Sequence, residues 1–217
     1  MNDHAEGVPA APGFSFKFKP TLTGELTRLR PLTVDDVPAL LPMFQDAETA
    51  RLTGDHAAHD EAGLRAWYAS RGDQDDRLDL AIVERATGNV VGEAVLLDWD
   101  PGNESCAFRI CSVPGAPGRG LGTEATRLIV GYGFETLGLH RIWLEVYAFN
   151  PRARRAYEKA GFVPEGVLRG ALLWEGERVD AEVMSIVAPE WFRHRGRPES
   201  GADPDASRAR REQRMAR

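Results

Sequence analysis

The 217-residue sequence predicts one α+β domain, spanning about residues 21–192, in which a mixed, mostly antiparallel twisted sheet is flanked by helices. Three observations predict it. Runs with strand-like alternation cluster around two well-marked helical segments. Two pairs of these runs are joined by short turns, which makes hairpins and hence antiparallel neighbours. A glycine-rich loop, PGRGLGTEA (residues 117–125), separates a strand-like run from a helix, a connection suited to a sheet with helices on its faces.

Residues 1–20 lack periodicity, carry three prolines, and read as a flexible N-terminal arm. In GELTRLRPL, Leu26, Arg28 and Arg30 alternate against Leu29, and the run reads as a first strand. Thr33 and Asp36 form a capping-box variant, and VPALLPMFQ offers a helical apolar face that Pro38 and Pro42 keep short or kinked. Asp60 caps a second helix with Leu64, Trp67 and Tyr68 on one side, and RGDQDDR ends it. LDLAIVER and VVGEAVLLDW, joined by ATGN, make a hairpin. SCAFRICSV is a further alternating run. Thr123–Leu137 reads as a helix with Ala125, Leu128, Ile129 and Tyr132 inward, weakened by Gly131 and Gly133. RIWLEVYAF is strongly β-prone. NPRARRAYEKAGF is a punctuated helix: Asn150 at the N-cap, Pro151 at the first helical position, Gly161 at the left-handed C′ site. VLRGALLW and RVDAEVMSIV flank EGE as a second hairpin. Residues 193–217 read as a disordered basic tail.

Composition narrows the function classes. Hydrophobic residues make up 42%, with five Trp and nine Phe, enough for a globular core. No apolar run approaches the roughly 18–20 residues of a membrane span. The first residues, MNDHAEGVPAAPGF, have neither a basic nor an apolar leader segment, so a cytoplasmic location is expected. Net charge is −6, unevenly spread: the last 27 residues carry 8 Arg against 4 acids, and the remaining 190 carry 19 basic and 29 acidic groups. An acidic body repels nucleic acid and favours cationic partners. Cys106 and Cys111, five apart on one strand, fall on opposite faces about 16 Å apart, beyond the ~7 Å a disulfide allows. No metal-ligand spacing is present, and no metal is expected.

The glycine loop invites a phosphate. Gly118, Gly120 and Gly122 let the backbone approach a ligand, and the helix start adds free N–H groups and partial positive charge. A glycine-rich turn without a ligand is the bland alternative. The dinucleotide fingerprint fails at Thr123, where its third glycine belongs, and the P-loop fails at Leu121, where its lysine belongs.

Together with the strand and the helix downstream of it, the loop resembles the GNAT superfamily of N-acetyltransferases, in particular its RimJ/RimL-like branch, over about Gly24 to Val187. GRGLGTEA, HRIWLEVYAFN and NPRARRAYEKAGFVPEG carry the resemblance, with Asn150, Tyr157, Glu158, Lys159, Gly161 and Phe162 in the family's order and spacing. Two positions depart from the pattern: Pro117, where Gln or Arg is usual, and Ala153, where many members carry Ser. Pro117 removes a donor and leaves the phosphate grip to the amides from Gly118 through Arg119, Gly120, Leu121 and Gly122 to Thr123, and to the Arg119 side chain.

The resemblance implies a GNAT-like domain that moves acetyl from acetyl-CoA, a co-substrate, directly to a primary amine: a protein N-terminus, a polyamine or an antibiotic amine. It implies Glu145 as base, often through water; alternation puts that residue between Trp143 and Tyr147 on one strand face, where an exposed glutamate is the ordinary alternative. Desolvation there would raise its pKa usefully. Glu182 and Glu104 stand in reserve. Tyr157, otherwise an ordinary core tyrosine, is implied as the acid that protonates the leaving thiolate. Asn150 would bond the pantetheine arm in addition to capping its helix, and Ile110, Cys111 and Ser112 would pair with that arm like a strand. Cys111 is not expected to be a nucleophile, because direct attack by the amine needs no acyl-enzyme. The acidic loop GDQDDRLD and the acidic body favour a cationic small-molecule or peptide acceptor. No nucleic acid and no membrane partner are expected, and a homodimer follows only from the family likeness. The alternative of a different class is a catalytically silent acyl-CoA-binding sensor or interaction module.

Overall fold

A computed structural model describes residues 16–116 and 118–195. Pro117, His4 and nearly all of the segments expected to be arm and tail lie outside these residues. Among the described residues, eight strands form one sheet in the order β1-β2-β3-β4-β5-β6-β8-β7. They are β1 (Leu22–Thr23), β2 (Thr27–Pro31), β3 (Leu78–Glu84), β4 (Val90–Asp100), β5 (Ser105–Ser112), β6 (Arg141–Tyr147), β7 (Val163–Trp174) and β8 (Glu177–Val187). All neighbours are antiparallel except β5 and β6. The helices are α1 (Val37–Gln45), α2 (Ala47–Thr53), α3 (Glu61–Ala69), α4 (Leu121–Glu135), α5 (Pro151–Ala160) and α6 (Ala188–Arg195).

Both faces of the sheet are covered, which is why all seven residues of β3 are buried. The larger core joins Leu29, Leu80, Ile82, Leu96 and Cys106 to Ala125, Ile129 and Phe134 of α4. The other joins Leu32 and Ala81 to Val37, Leu40 and Met43 of α1 and Leu64 and Tyr68 of α3. Cys106 packs in the first core and Cys111 against the second, as their odd spacing requires. Both are free thiols.

Several expectations change. Phe16 lies in the supposed arm, yet it is fully buried and meets Trp99 edge-on at 6.1 Å. The domain therefore begins before residue 21. At the other end, α6 runs to Arg195, past the expected boundary at 192, because buried Trp191 docks on α4. Its indole N–H donates to Glu135 at 2.9 Å. This docking also explains Gly131: a Cβ there would lie 2.9 Å from the Trp191 ring. The glycine that weakens α4 locally is what lets α6 pack. Helix α4 starts two residues earlier than its sequence suggests, at Leu121, with Gly120 as its cap.

The turn into α1 is held by charge. Arg30 gives two hydrogen bonds to buried Asp36, at 2.8 and 2.6 Å, and the Thr33 amide donates to the same carboxylate at 2.9 Å. Burial alone would raise the Asp36 pKa, but Arg30 and the Thr33 N–H together hold it below the ordinary value. A depressed folded pKa contributes stability that is full above the unfolded carboxylate value and is lost as pH falls through the folded one. Asp36→Asn should therefore cost about 2 kcal/mol at pH 7. The gap from the parent should shrink in urea unfolding as pH falls below the unfolded carboxylate value, because the parent then loses the contribution of its ionised group.

Candidate active site

Strands β5 and β6 pair in parallel at three positions only: Ser105 with Arg141, Cys106 with Ile142, Ala107 with Trp143. Beyond these the strands part. β5 stays bonded to β4 as far as Ser112, and β6 stays bonded to β8 as far as Tyr147. The facing edges of Phe108–Ser112 and Leu144–Tyr147 are left unpaired with each other. Just before the parting, the β4–β5 register shifts between Leu97 and Asp100, and Asp98 adopts φ 53. Such a bulge raises local twist. The result is a wedge whose walls are backbone amides and carbonyls that seek partners.

Around the wedge lies a cleft of about 640 Å³, within the usual range for small-molecule sites. At its mouth α4 begins. Gly118 (φ 98) and Gly120 (φ 82) occupy left-handed backbone, which turns the chain sharply into the helix. The amides of Leu121, Gly122 and Thr123 belong to the first turn and have no intrahelical acceptor. A first-turn acid anchors this helix start. The Glu124 carboxylate accepts from the amides of Glu25 at 2.7 Å, Leu26 at 2.9 Å and Thr27 at 2.6 Å, and from the Thr27 hydroxyl at 2.7 Å. It is thus turned to the β1–β2 connection.

Most of the sequence-predicted site residues meet at this cleft: Ile110, Cys111, Ser112, Gly118, Gly120, Leu121, Gly122, Thr123, Glu145, Asn150 and Tyr157 all line it. Arg119 is the exception. Its guanidinium is held at 2.5 Å by the carboxylate of buried Glu84, and it does not line the cleft. The reserves stand apart as well. Glu182 is engaged by Arg154 at 2.5 Å, and Glu104 lies in the turn before β5, where its carbonyl accepts from the His140 amide.

Each central side chain is placed by its element. Glu145 shares a face of β6 with Trp143 and Tyr147, as alternation predicts, but it is exposed rather than desolvated. Tyr157 stands two turns after Asn150 on α5, its ring half-buried between Phe108 at 6.2 Å and Phe162 at 6.0 Å. Burial, with nearby Cys111 as the smaller cause, raises its pKa above the ordinary phenol value. Among the described residues its hydroxyl has no hydrogen-bond partner. The Asn150 oxygen accepts from the Ala153 amide at 3.1 Å, so the cap occupies the carbonyl and leaves the NH₂ group for another partner. Burial pushes the Cys111 thiol up to about 12, so it is not a thiolate nucleophile.

The structure also brings residues to the cleft that sequence reasoning missed. Arg152, Arg155 and Lys159 of α5 line it, as do Thr49 and Thr53 of α2. The cations had a legible signal, since spacings of three and four put them along one helix face. Helix α2 had little, because none of its residues is buried. Only Asp46 at its N-cap and left-handed Gly54 after it punctuate the segment.

The sequence model of the acetyltransferase (GNAT) domain family matches residues 27–163. The chain belongs to that family. It is 32% identical over 111 residues to a spermidine N(1)-acetyltransferase of Vibrio cholerae, a match that covers 51% of this chain and 64% of that one. It is 29% identical over 177 residues to the probable N-acetyltransferase YjcK of Bacillus subtilis, covering 78% and 98% of the two chains. A crystal structure of spermidine N-acetyltransferase from Vibrio cholerae in complex with CoA and spermine superposes with a TM-score of 0.73 over 78% of this chain and 99% of that one. At 22% identity this last likeness is one of fold.

The loop glycines can be tested apart from any ligand. Around Gly120 the nearest atom to an added Cβ is Leu26 Cδ1 at 3.5 Å, an ordinary contact. Gly120→Ala should therefore lose only the left-handed backbone penalty, about 1–2 kcal/mol, read as a lowered urea midpoint with an unchanged slope.

Proposed function

We propose that this chain moves an acetyl group from acetyl-CoA directly to a cationic primary amine, as a member of the RimJ/RimL-like branch. The observation that carries the proposal is the parted β5–β6 wedge, open to the first-turn amides of α4 and overlooked by the unpartnered hydroxyl of Tyr157.

Each part of the site takes one task. The amides of residues 118–123 suit a diphosphate, with Arg152, Arg155 and Lys159 as nearby cations. The unpaired edge of Ile110–Ser112 suits the pantetheine arm as an added strand, and the free NH₂ group of Asn150 can donate to it. An N–H of that edge polarises the acetyl carbonyl. Glu145 takes the proton from the amine. Its exposure favours a route through water, since a solvated carboxylate in the cleft is reached by an ordered chain of waters. Tyr157 donates its proton to the thiolate as that group departs. Burial keeps this hydroxyl protonated up to the moment of donation. The wedge holds the two reactants together in the site, which removes much of the entropic cost of their meeting. A cationic acceptor fits the acidic body of the chain, and two of its relatives are named for spermidine.

Removing the acid should separate chemistry from binding. Tyr157→Phe should lower kcat by about 10²–10⁴-fold while acetyl-CoA binding, measured by calorimetry, stays within about threefold. Glu145→Gln should lower kcat over a similar range. Free thiol released in the presence of an amine panel is the readout. Undiminished turnover in Tyr157→Phe would remove its assigned role.

A further inference from the structure

A second cavity, about 360 Å³, opens beside the cleft on the α1–α3 face of the sheet. The two share Thr49, Thr53, Arg109 and Cys111 as lining residues. Its walls include Phe44 and Trp67, and Glu93 of β4 also lines it. Glu93 pairs directly with Cys111 across β4 and β5, and the small thiol side chain leaves the space open.

Glu93 is the anomaly. It is 3% exposed, yet its carboxylate is only half-partnered. The Tyr68 hydroxyl donates to Oε2 at 2.7 Å. Oε1 accepts no hydrogen bond among the described residues; its nearest cation is the half-exposed Arg109 guanidinium at 3.9 Å, beyond hydrogen-bonding distance. A buried carboxylate compensated this weakly is costly, and the cost falls when a cation arrives. The other charged groups lining the cavity are Asp55 and His59, which are bonded to each other at 2.7 Å. Burial raises the Glu93 carboxyl, with Arg109 and Tyr68 opposing it less strongly. An ammonium in the cavity acts in the same direction as these two.

Resting on the acetyl-transfer reading above, we infer that this second cavity seats the acceptor, and that Glu93 binds an ammonium group of it other than the one acetylated. The reacting nitrogen must reach the junction at Arg109 and Cys111, where the two cavities meet, and give up its proton to Glu145. Glu93 lines the second cavity and not the first, and it suits a nitrogen that keeps its charge. The acceptor class is therefore an aliphatic di- or polyamine, its methylenes lying on Phe44 and Trp67. A peptide N-terminus offers one amine and a train of peptide groups that these apolar walls would leave unpaired.

The test compares 1,4-diaminobutane with n-butylamine, using thiol release by the full chain. The parent should prefer the diamine in kcat/KM by about 10–100-fold, the worth of one hydrogen-bonded charge. Glu93→Gln should bring that ratio close to one, with the butylamine value and acetyl-CoA binding nearly unchanged. Ala50→Phe, which fills the cavity from α2, should also abolish the preference, and it decides the matter if Glu93→Gln does not fold. Equal use of both amines by the parent, an unchanged ratio in the variants, or a faster reaction with a tripeptide amide would overturn the inference and leave acetyl transfer standing. A parent chain that fails to bind acetyl-CoA would overturn the proposed function, and this inference with it.

Discussion

Parallel pairing between β5 and β6 stops after three residue pairs, and the site depends on that stop. Each strand remains committed to its other neighbour, β5 to β4 and β6 to β8. Neither can follow the other without breaking an antiparallel ladder. The edges that separate therefore carry backbone donors and acceptors that do not pair with each other across the gap. In a closed sheet these groups would be silent. Here they form the two walls of a cleft, and the groups proposed to hold the coenzyme lie along them or at their mouth.

The mouth is built by acids that face away from it. Glu124 stands in the first turn of α4, where a carboxylate would oppose an anionic guest, but it is spent on the amides of residues 25–27. Gly24 makes this possible, since a Cβ there would come within 2.5 Å of the Glu124 carboxylate. Glu84 draws Arg119 out of the cleft in a similar way. The positive potential left at the mouth comes from helix amides and from the α5 cations, rather than from the arginine inside the glycine motif. Opposite the mouth, the α1–α3 face carries the buried Glu93. The two ends of the site thus differ in sign, which suits the proposed transfer of acetyl from an anionic coenzyme to a cationic amine.

Local signals were legible and long-range ones were not. Asn150, Pro151 and Gly161 marked α5 to the residue, because caps act within one turn of themselves. The hairpins were legible for the same reason. Phe16 and α6 escaped because their order comes from distant partners, Trp99 for one and Gly131 for the other. Arg119 was read into the site from its place in the motif, and only the fold brings Glu84 to it from 35 residues away. Glu93 had a trace in the sequence: a lone charge within VVGEAVLL, a run apolar enough to be buried on both faces.

By itself the sequence determined the helices with strong caps, the two hairpins, the glycine turn, and some of the residues that line the cleft. Each of these rests on interactions a few residues long, whose energies do not wait for the rest of the chain. The tertiary structure alone decided where β5 and β6 part, which acid takes Arg119, and that a second cavity adjoins the first. Those features join residues far apart in the chain, and their geometry is set by competing ladders and by packing on both faces of one sheet.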